Sequence, residues 1–95
     1  MIIKLRTKAF PTLASALGGR ELELSFERQT VADLVDELQQ KFGKEIKDVL
    51  FDQDGQVDDT IITVINDNLL PLSKQLNVAL KDGDIVTFML PFSGG

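Results

Sequence analysis

The sequence predicts an α+β domain in which one main helix crosses a mixed sheet of four to five strands. Three observations predict it. Apolar and polar residues alternate over residues 1–8 and again over 20–27, the period of a half-buried strand. Residues 30–42 repeat their apolar side chains at helical spacing. Two further apolar runs, 61–65 and 85–90, stand next to turn-forming residues.

In residues 1–8, Ile3, Leu5 and Thr7 fall on one side, with Lys4, Arg6 and Lys8 on the other. Phe10-Pro11-Thr12 ends this strand, and residues 13–17 have room for one short helical turn before the Gly18-Gly19 breaker. In residues 20–27, Leu22, Leu24 and Phe26 face inward, with Glu21, Glu23, Ser25 and Glu27 outward. The two strands form an antiparallel pair, through a connection too long for a two-residue hairpin. In the helix, Val31, Leu34, Val35, Leu38 and Phe42 make one stripe. Thr30 is its N-cap, Asp33 lies three residues on, Lys41 sits late, and Gly43 closes it.

Residues 46–51 are a short apolar patch, ambiguous between elements, and 52–60 a polar loop around Asp54-Gly55. Residues 61–65 are a strand and Asn66-Asp67-Asn68 a turn. Leu69-Leu70 begins a short return strand that Pro71 confines to an edge. Residues 76–80 are irregular or one helical turn. Asp82-Gly83-Asp84 is a turn before the last strand, 85–90. The expected organisation is one domain over residues 1–90 and a flexible tail over 91–95 ending in Gly-Gly, where Ser93-Gly94-Gly95 offers no side chain to anchor it.

Composition narrows the function. The chain of 95 residues is 43% hydrophobic and 26% charged, apolar enough for a folded domain. It has no His and no Cys. That excludes Cys or His nucleophiles, His general bases, thiolate or imidazole metal sites and disulfides. Residues 1–44 carry seven positive and six negative charges, and residues 45–95 three positive and nine negative. Such a balance disfavours nucleic acid, which calls for clustered Lys and Arg. The opening MIIKLRTKAF contains no long apolar run. A cytoplasmic chain without signal peptide or membrane span is therefore expected.

The last strand is apolar on both faces, with Val86, Phe88 and Leu90 on one and Ile85, Thr87 and Met89 on the other. Either it is a central strand covered on both sides, or it shows Ile85 and Met89 to something else. After Asp84 no charged side chain follows, in IVTFMLPFSGG. Two glycines at the end leave a terminal carboxylate unflanked, able to thread a narrow channel.

Other motifs reduce to turns. Asp52-Gln53-Asp54-Gly55 lacks the spacing of a calcium loop, and no metal site is expected. Asp52, Asp54, Asp58 and Asp59 lie in polar loop sequence, with nothing expected to shift their pKa. Gly18-Gly19 lacks the context of a phosphate loop.

The stretch from Leu80-Lys81-Asp82-Gly83-Asp84 through the apolar strand and Pro91 to Gly94-Gly95 resembles the ubiquitin-like sulfur carriers of the ThiS/MoaD family. The resemblance implies a β-grasp fold and a protein that is not itself an enzyme. It implies that Gly95 is adenylated at its carboxylate and then thiocarboxylated, with Gly94 as the slim neighbour the channel needs. It further implies partner contacts through Met89, Leu90, Pro91, Phe92 and Ser93, with Leu69 a further candidate. The implied partners are a ubiquitin-activating-like adenylyltransferase, which uses ATP, and a sulfur-accepting enzyme. The carrier itself binds no cofactor.

Pro91-Phe92-Ser93-Gly94-Gly95 is near the ending of molybdopterin synthase small subunits, pointing to molybdenum cofactor biosynthesis and that enzyme's large subunit. Leu90 and Lys8 depart from that branch. The Gly18-Gly19 and Asp52–Gly55 features, and the length of residues 66–84, are similar to the branch serving cysteine biosynthesis, with a cysteine synthase-like acceptor. A ubiquitin-like modifier joined to lysines through Gly95 is the alternative, and a plain β-grasp interaction domain a third.

Overall fold

The computed structural model describes residues 1–90, the Lys8 side chain excepted. The expected tail, with Pro91, Phe92, Ser93, Gly94 and Gly95, lies outside the described residues. Strand β1 (Ile2–Ala9) pairs antiparallel with β2 (Glu21–Ser25), Ile3 opposite Leu24 and Leu5 opposite Leu22. Helix α1 (Pro11–Leu17) joins them, longer than the single turn expected. Pro11 begins it, where a missing N–H costs nothing. Gly18, at φ +85°, ends it in the left-handed conformation, its N–H donating to Ala14 O at 2.9 Å.

Helix α2 (Val31–Phe42) has the expected capping box: Thr30 Oγ1 accepts from the Asp33 N–H and Asp33 accepts from the Thr30 N–H. Val31, Leu34, Val35 and Leu38 are buried, and Phe42 is half-buried at the end of the stripe. The N–H groups of Val31 and Ala32 have no partner inside the helix. Val78 O and Leu76 O accept them at 3.0 and 2.9 Å. Residues 76–80 are thus neither a helical turn nor loose; they run along the start of α2, with an isolated bridge between Thr30 and Ala79. The ambiguous patch is helical: α3 (Lys44–Leu50) buries Ile46 and Leu50 completely. Seven residues are too few for a periodic stripe to declare itself, and tertiary packing decides the element.

Strand β3 (Ile62–Ile65) and β4 (Asn68–Pro71) form a hairpin. Its two turn residues, Asn66 and Asp67, both have positive φ (52° and 68°), as a type I′ turn demands. A 3₁₀ turn (Leu72–Lys74), not anticipated, follows Pro71. The last strand, β5 (Ile85–Met89), is parallel to β1 and antiparallel to β3. The sheet order is β2-β1-β5-β3-β4, which places β5 at the centre. The sheet is mixed, with five strands of the four to five expected, and α2 is its main helix; among the described residues the two short helices α1 and α3 accompany it.

One core joins helices and sheet. Ile3, Leu5, Leu34, Leu38, Ile46, Val86 and Phe88 all belong to it and are wholly buried. Three polar residues are buried with them, Thr7, Thr63 and Gln75. Gln75 Nε2 donates to Thr63 Oγ1 at 2.8 Å, to Thr63 O at 3.1 Å and to Asn68 O at 3.2 Å. The amide thereby ties the hairpin to the segment that follows it.

Candidate functional site

The helices cover one face of the sheet only. Pairing registers lay out the other face in rows. Glu23, Lys4 and Ile85 form the first; Glu21, Arg6, Thr87, Val64 and Leu69 the second; Ala9, Met89, Ile62 and Pro71 the third. The β2–β1 half is charged and internally paired, with Arg6 Nε 3.3 Å from Glu21 Oε1. The β5–β3–β4 half is apolar. Of the two readings open for the last strand, the one with a bare face holds: Ile85 is 38% exposed, while Val86 and Phe88 are fully buried. Leu90 departs from its expected face, standing 41% exposed where the chain leaves the sheet.

Met89 is half-buried on this apolar half, and Leu69 is 61% exposed on the same face, two strands away and one row along. The structure thus brings Met89 and Leu69 to one face of the sheet, while Leu90 is exposed just past the end of β5. Gly95, Gly94 and residues 91–93 lie outside the described residues.

Sequence reading missed Ile62 and Val64, which complete the patch. The strand was recognised, but not its facing. Ile61, Thr63 and Ile65 point inward, so a polar threonine is buried and two branched apolar residues are left outside. Two partners make Thr63 acceptable in the core: its hydroxyl donates to Leu70 O at 3.1 Å and accepts from the Gln75 amide, twelve residues on.

At the end of the sheet where β5 finishes, the turn before β3 carries Asp58 and Thr60. The Thr60 hydroxyl and N–H donate to Asp58 Oδ1 at 2.7 and 2.9 Å. These bonds hold the Asp58 carboxyl below its ordinary pKa, the side chain's hydroxyl contributing most. That corrects the expectation that nothing perturbs this loop; the direction leaves Asp58 ionised and makes it no acid–base catalyst. A shallow concavity of about 420 Å³, lined by Arg6, Asn66, Asp67, Asp84, Ile85 and Thr87, sits at the opposite end of the face. Among the described residues no cluster of three acidic side chains is placed to hold a metal ion. Among the described residues no helix is long and apolar enough to cross a membrane.

The arrangement is a scaffold with an uncharged strand at its centre, leading out beside an uncovered apolar face. Known proteins are similar to this chain in sequence and fold. Ubiquitin-related modifier 1 of Vanderwaltozyma polyspora is 37% identical over 70 residues, covering 73% of this chain and 68% of the relative. The solution structure of small archaeal modifier protein 1 from Methanosarcina acetivorans superposes with a TM-score of 0.75 at 30% identity, covering 99% of this chain and 96% of that one. The crystal structure of SAMP1 from Haloferax volcanii gives a TM-score of 0.76 at 25% identity over the whole of both chains. The fold is the β-grasp that the resemblance implied. The model of the ThiS family matches residues 9–95, and this chain belongs to that family.

Proposed function

We propose that this chain is a sulfur carrier, a non-catalytic protein cosubstrate whose reactive group is the Gly95 carboxylate. The observation that carries the reading is the central strand β5, uncharged from Ile85 onward, which leads out beside a bare apolar face toward Gly94-Gly95. A ubiquitin-activating-like adenylyltransferase supplies ATP. The carboxylate oxygen attacks the α-phosphorus, pyrophosphate leaves, and an acyl adenylate forms. Sulfide then attacks the acyl carbon, AMP departs with the electrons of the broken carbon–oxygen bond, and a thiocarboxylate remains. With a persulfide donor, a thiol must also cleave the sulfur–sulfur bond. A sulfur-accepting enzyme takes the sulfur next.

Main-chain chemistry of this kind uses no Cys and no His, consistent with a sequence that has neither. Gly94 leaves the channel free of a side chain next to the reacting carbon. Met89, Leu90 and Leu69, with Ile62 and Val64 beside them, are the contacts for the partner's apolar surface, extended by Pro91, Phe92 and Ser93. The acceptor is a molybdopterin synthase large subunit or a cysteine synthase-like enzyme, and both act in the cytoplasm.

A second reading is favoured by the relatives named as modifiers: conjugation through Gly95 to lysines of other proteins. Both readings pass through the same adenylate. Incubation with an adenylyltransferase, ATP and a sulfur donor is expected to replace one oxygen by one sulfur in the intact mass. Deleting Gly95 abolishes that gain and leaves the fold unchanged. No mass gain in the wild-type chain sinks the carrier reading; an isopeptide-linked remnant of this chain on cellular lysines, left by trypsin as residues 82–95 because Lys81 is the last basic residue, without any thiocarboxylate establishes the modifier instead.

A further inference from the structure

The β1–β5 ladder slips by one residue next to the exit of the chain. Lys4, Leu5 and Arg6 pair in step with Ile85, Val86 and Thr87, but Ala9 pairs with Met89. Two residues of β1, Thr7 and Lys8, therefore oppose the single Phe88. This is a bulge, a device that re-aims side chains and ends pairing. Its effect is visible on both sides. Ala9 turns outward, into the row of Met89 and Ile62, and Phe10 turns inward to 3% exposure. Without the extra residue, alternation would place Phe10 on the bare face.

The bulge also brings the Ala9 carbonyl to β5, where it accepts the Leu90 N–H at 3.3 Å. Among the described residues this is the final tether of the chain before the sequence that leads to Gly95.

Thr7 holds the bulge from three directions. Thr7 is 1% exposed, and its hydroxyl donates to Gly19 O at 3.0 Å and lies 3.3 Å from Arg20 O. Its N–H donates to Arg20 O at 2.8 Å, and its carbonyl accepts the Phe10 N–H at 2.9 Å. A buried hydroxyl in a strand otherwise filled by Ile3 and Leu5 is not there for apolar packing.

We propose that Thr7 is a positioning residue for the reaction at Gly95. Its hydroxyl locks the β1 bulge, the bulge presents the Ala9 carbonyl, and that carbonyl fixes where Leu90 leaves the sheet. The proposal rests on the sulfur-carrier reading for its kinetic part only. Thr7→Val keeps the shape and removes the hydroxyl; Thr7→Ser keeps the hydroxyl.

Two measurements test it. In Thr7→Val, amide exchange at Leu90 rises about tenfold relative to the amides of β3, which are not in contact with the bulge. Its KM with the adenylyltransferase rises about tenfold at unchanged kcat, because seating of the tail is affected and carboxylate chemistry is not. Thr7→Ser restores both values. A folded Thr7→Val with wild-type exchange at Leu90 overturns the proposal, as does a fall in kcat at constant KM. If Thr7→Val does not fold, Thr7→Ser decides: fast exchange at Leu90 in a folded Thr7→Ser overturns it. A wild-type chain that is never adenylated refutes the carrier reading instead, while the exchange at Leu90 still reads the tether.

Discussion

Met89 stands directly opposite Ile62, and both side chains face away from the core on the side that no helix covers. Row by row the same holds for Thr87 with Val64, and Val64 in turn faces Leu69. A continuous apolar strip of this kind beside the exit of the chain is where partner-binding energy concentrates. Leu69→Ser is expected to change folding stability by less than about 0.5 kcal/mol, because the side chain is 61% exposed. Leu69→Ser combined with Met89→Ala is expected to weaken association with the adenylyltransferase by at least about 2 kcal/mol. Calorimetric titration checks the second figure and thermal unfolding the first.

The Gln75 amide donates to the buried Thr63 hydroxyl, which itself donates to Leu70 O. Gln75→Leu has almost the same volume but leaves Thr63 O and Asn68 O without that donor. A loss of about 1–3 kcal/mol is expected in chemical denaturation, the cost of stranding buried acceptors. Gln75→Leu together with Thr63→Val is expected to recover none of it, since Thr63 O and Asn68 O still lack the Gln75 donor and Leu70 O loses the Thr63 hydroxyl as well.

Phe88 is fully buried at the middle of the central strand. Phe88→Ala is expected to cost about 3–5 kcal/mol, through lost transfer energy and the cavity left behind. That is a large share of the stability of a domain this small. Equilibrium unfolding in urea measures it, with the slope unchanged.

Asp33 gives the fold an acid limb. The N–H groups of Thr30 and Gln29, in that order, hold its carboxyl below the ordinary carboxylate range, with the Thr30 hydroxyl and Arg28 adding to the effect. A pKa lowered by folding means that the ionised form favours the native state. The stabilisation is therefore complete above the unfolded value of about 3.9 and is lost as pH falls through the lower folded value. Thermal midpoints recorded between about pH 5 and pH 2 are expected to drop more steeply in the wild type than in Asp33→Asn. Parallel curves would show that Asp33 carries no linkage. Arg28, bonded to Asp36 at 2.7 Å and Asp33 at 3.1 Å, titrates far above this window.

Much of the architecture was legible because it rests on local pattern. The α2 stripe, Thr30 with Asp33, and the alternation of Ile3, Leu5 and Thr7 all report a face or a cap within a few residues. Helix α3 was not legible, since seven residues without a side-chain cap declare no period. The 3₁₀ turn after Pro71 was equally silent. Of the residues expected to meet a partner, Met89 and Leu69 fall on the bare face; Ile62 and Val64, on the same face, were not anticipated.

By itself, then, the sequence determined the class of fold and the exclusion of Cys and His nucleophiles, because periodicity and composition are properties of the chain alone, and the turn, apolar strand, Pro91 and Gly94-Gly95 carried the resemblance to the family. Only the tertiary structure decided which face stays bare. The inward Thr63 of β3 is satisfied by Leu70 O across the hairpin and by Gln75, twelve residues away. The place where Leu90 leaves the sheet depends on a carbonyl from Ala9, at the other end of the chain. Contacts between residues so far apart in sequence have no period to read; they exist only once the strands have paired.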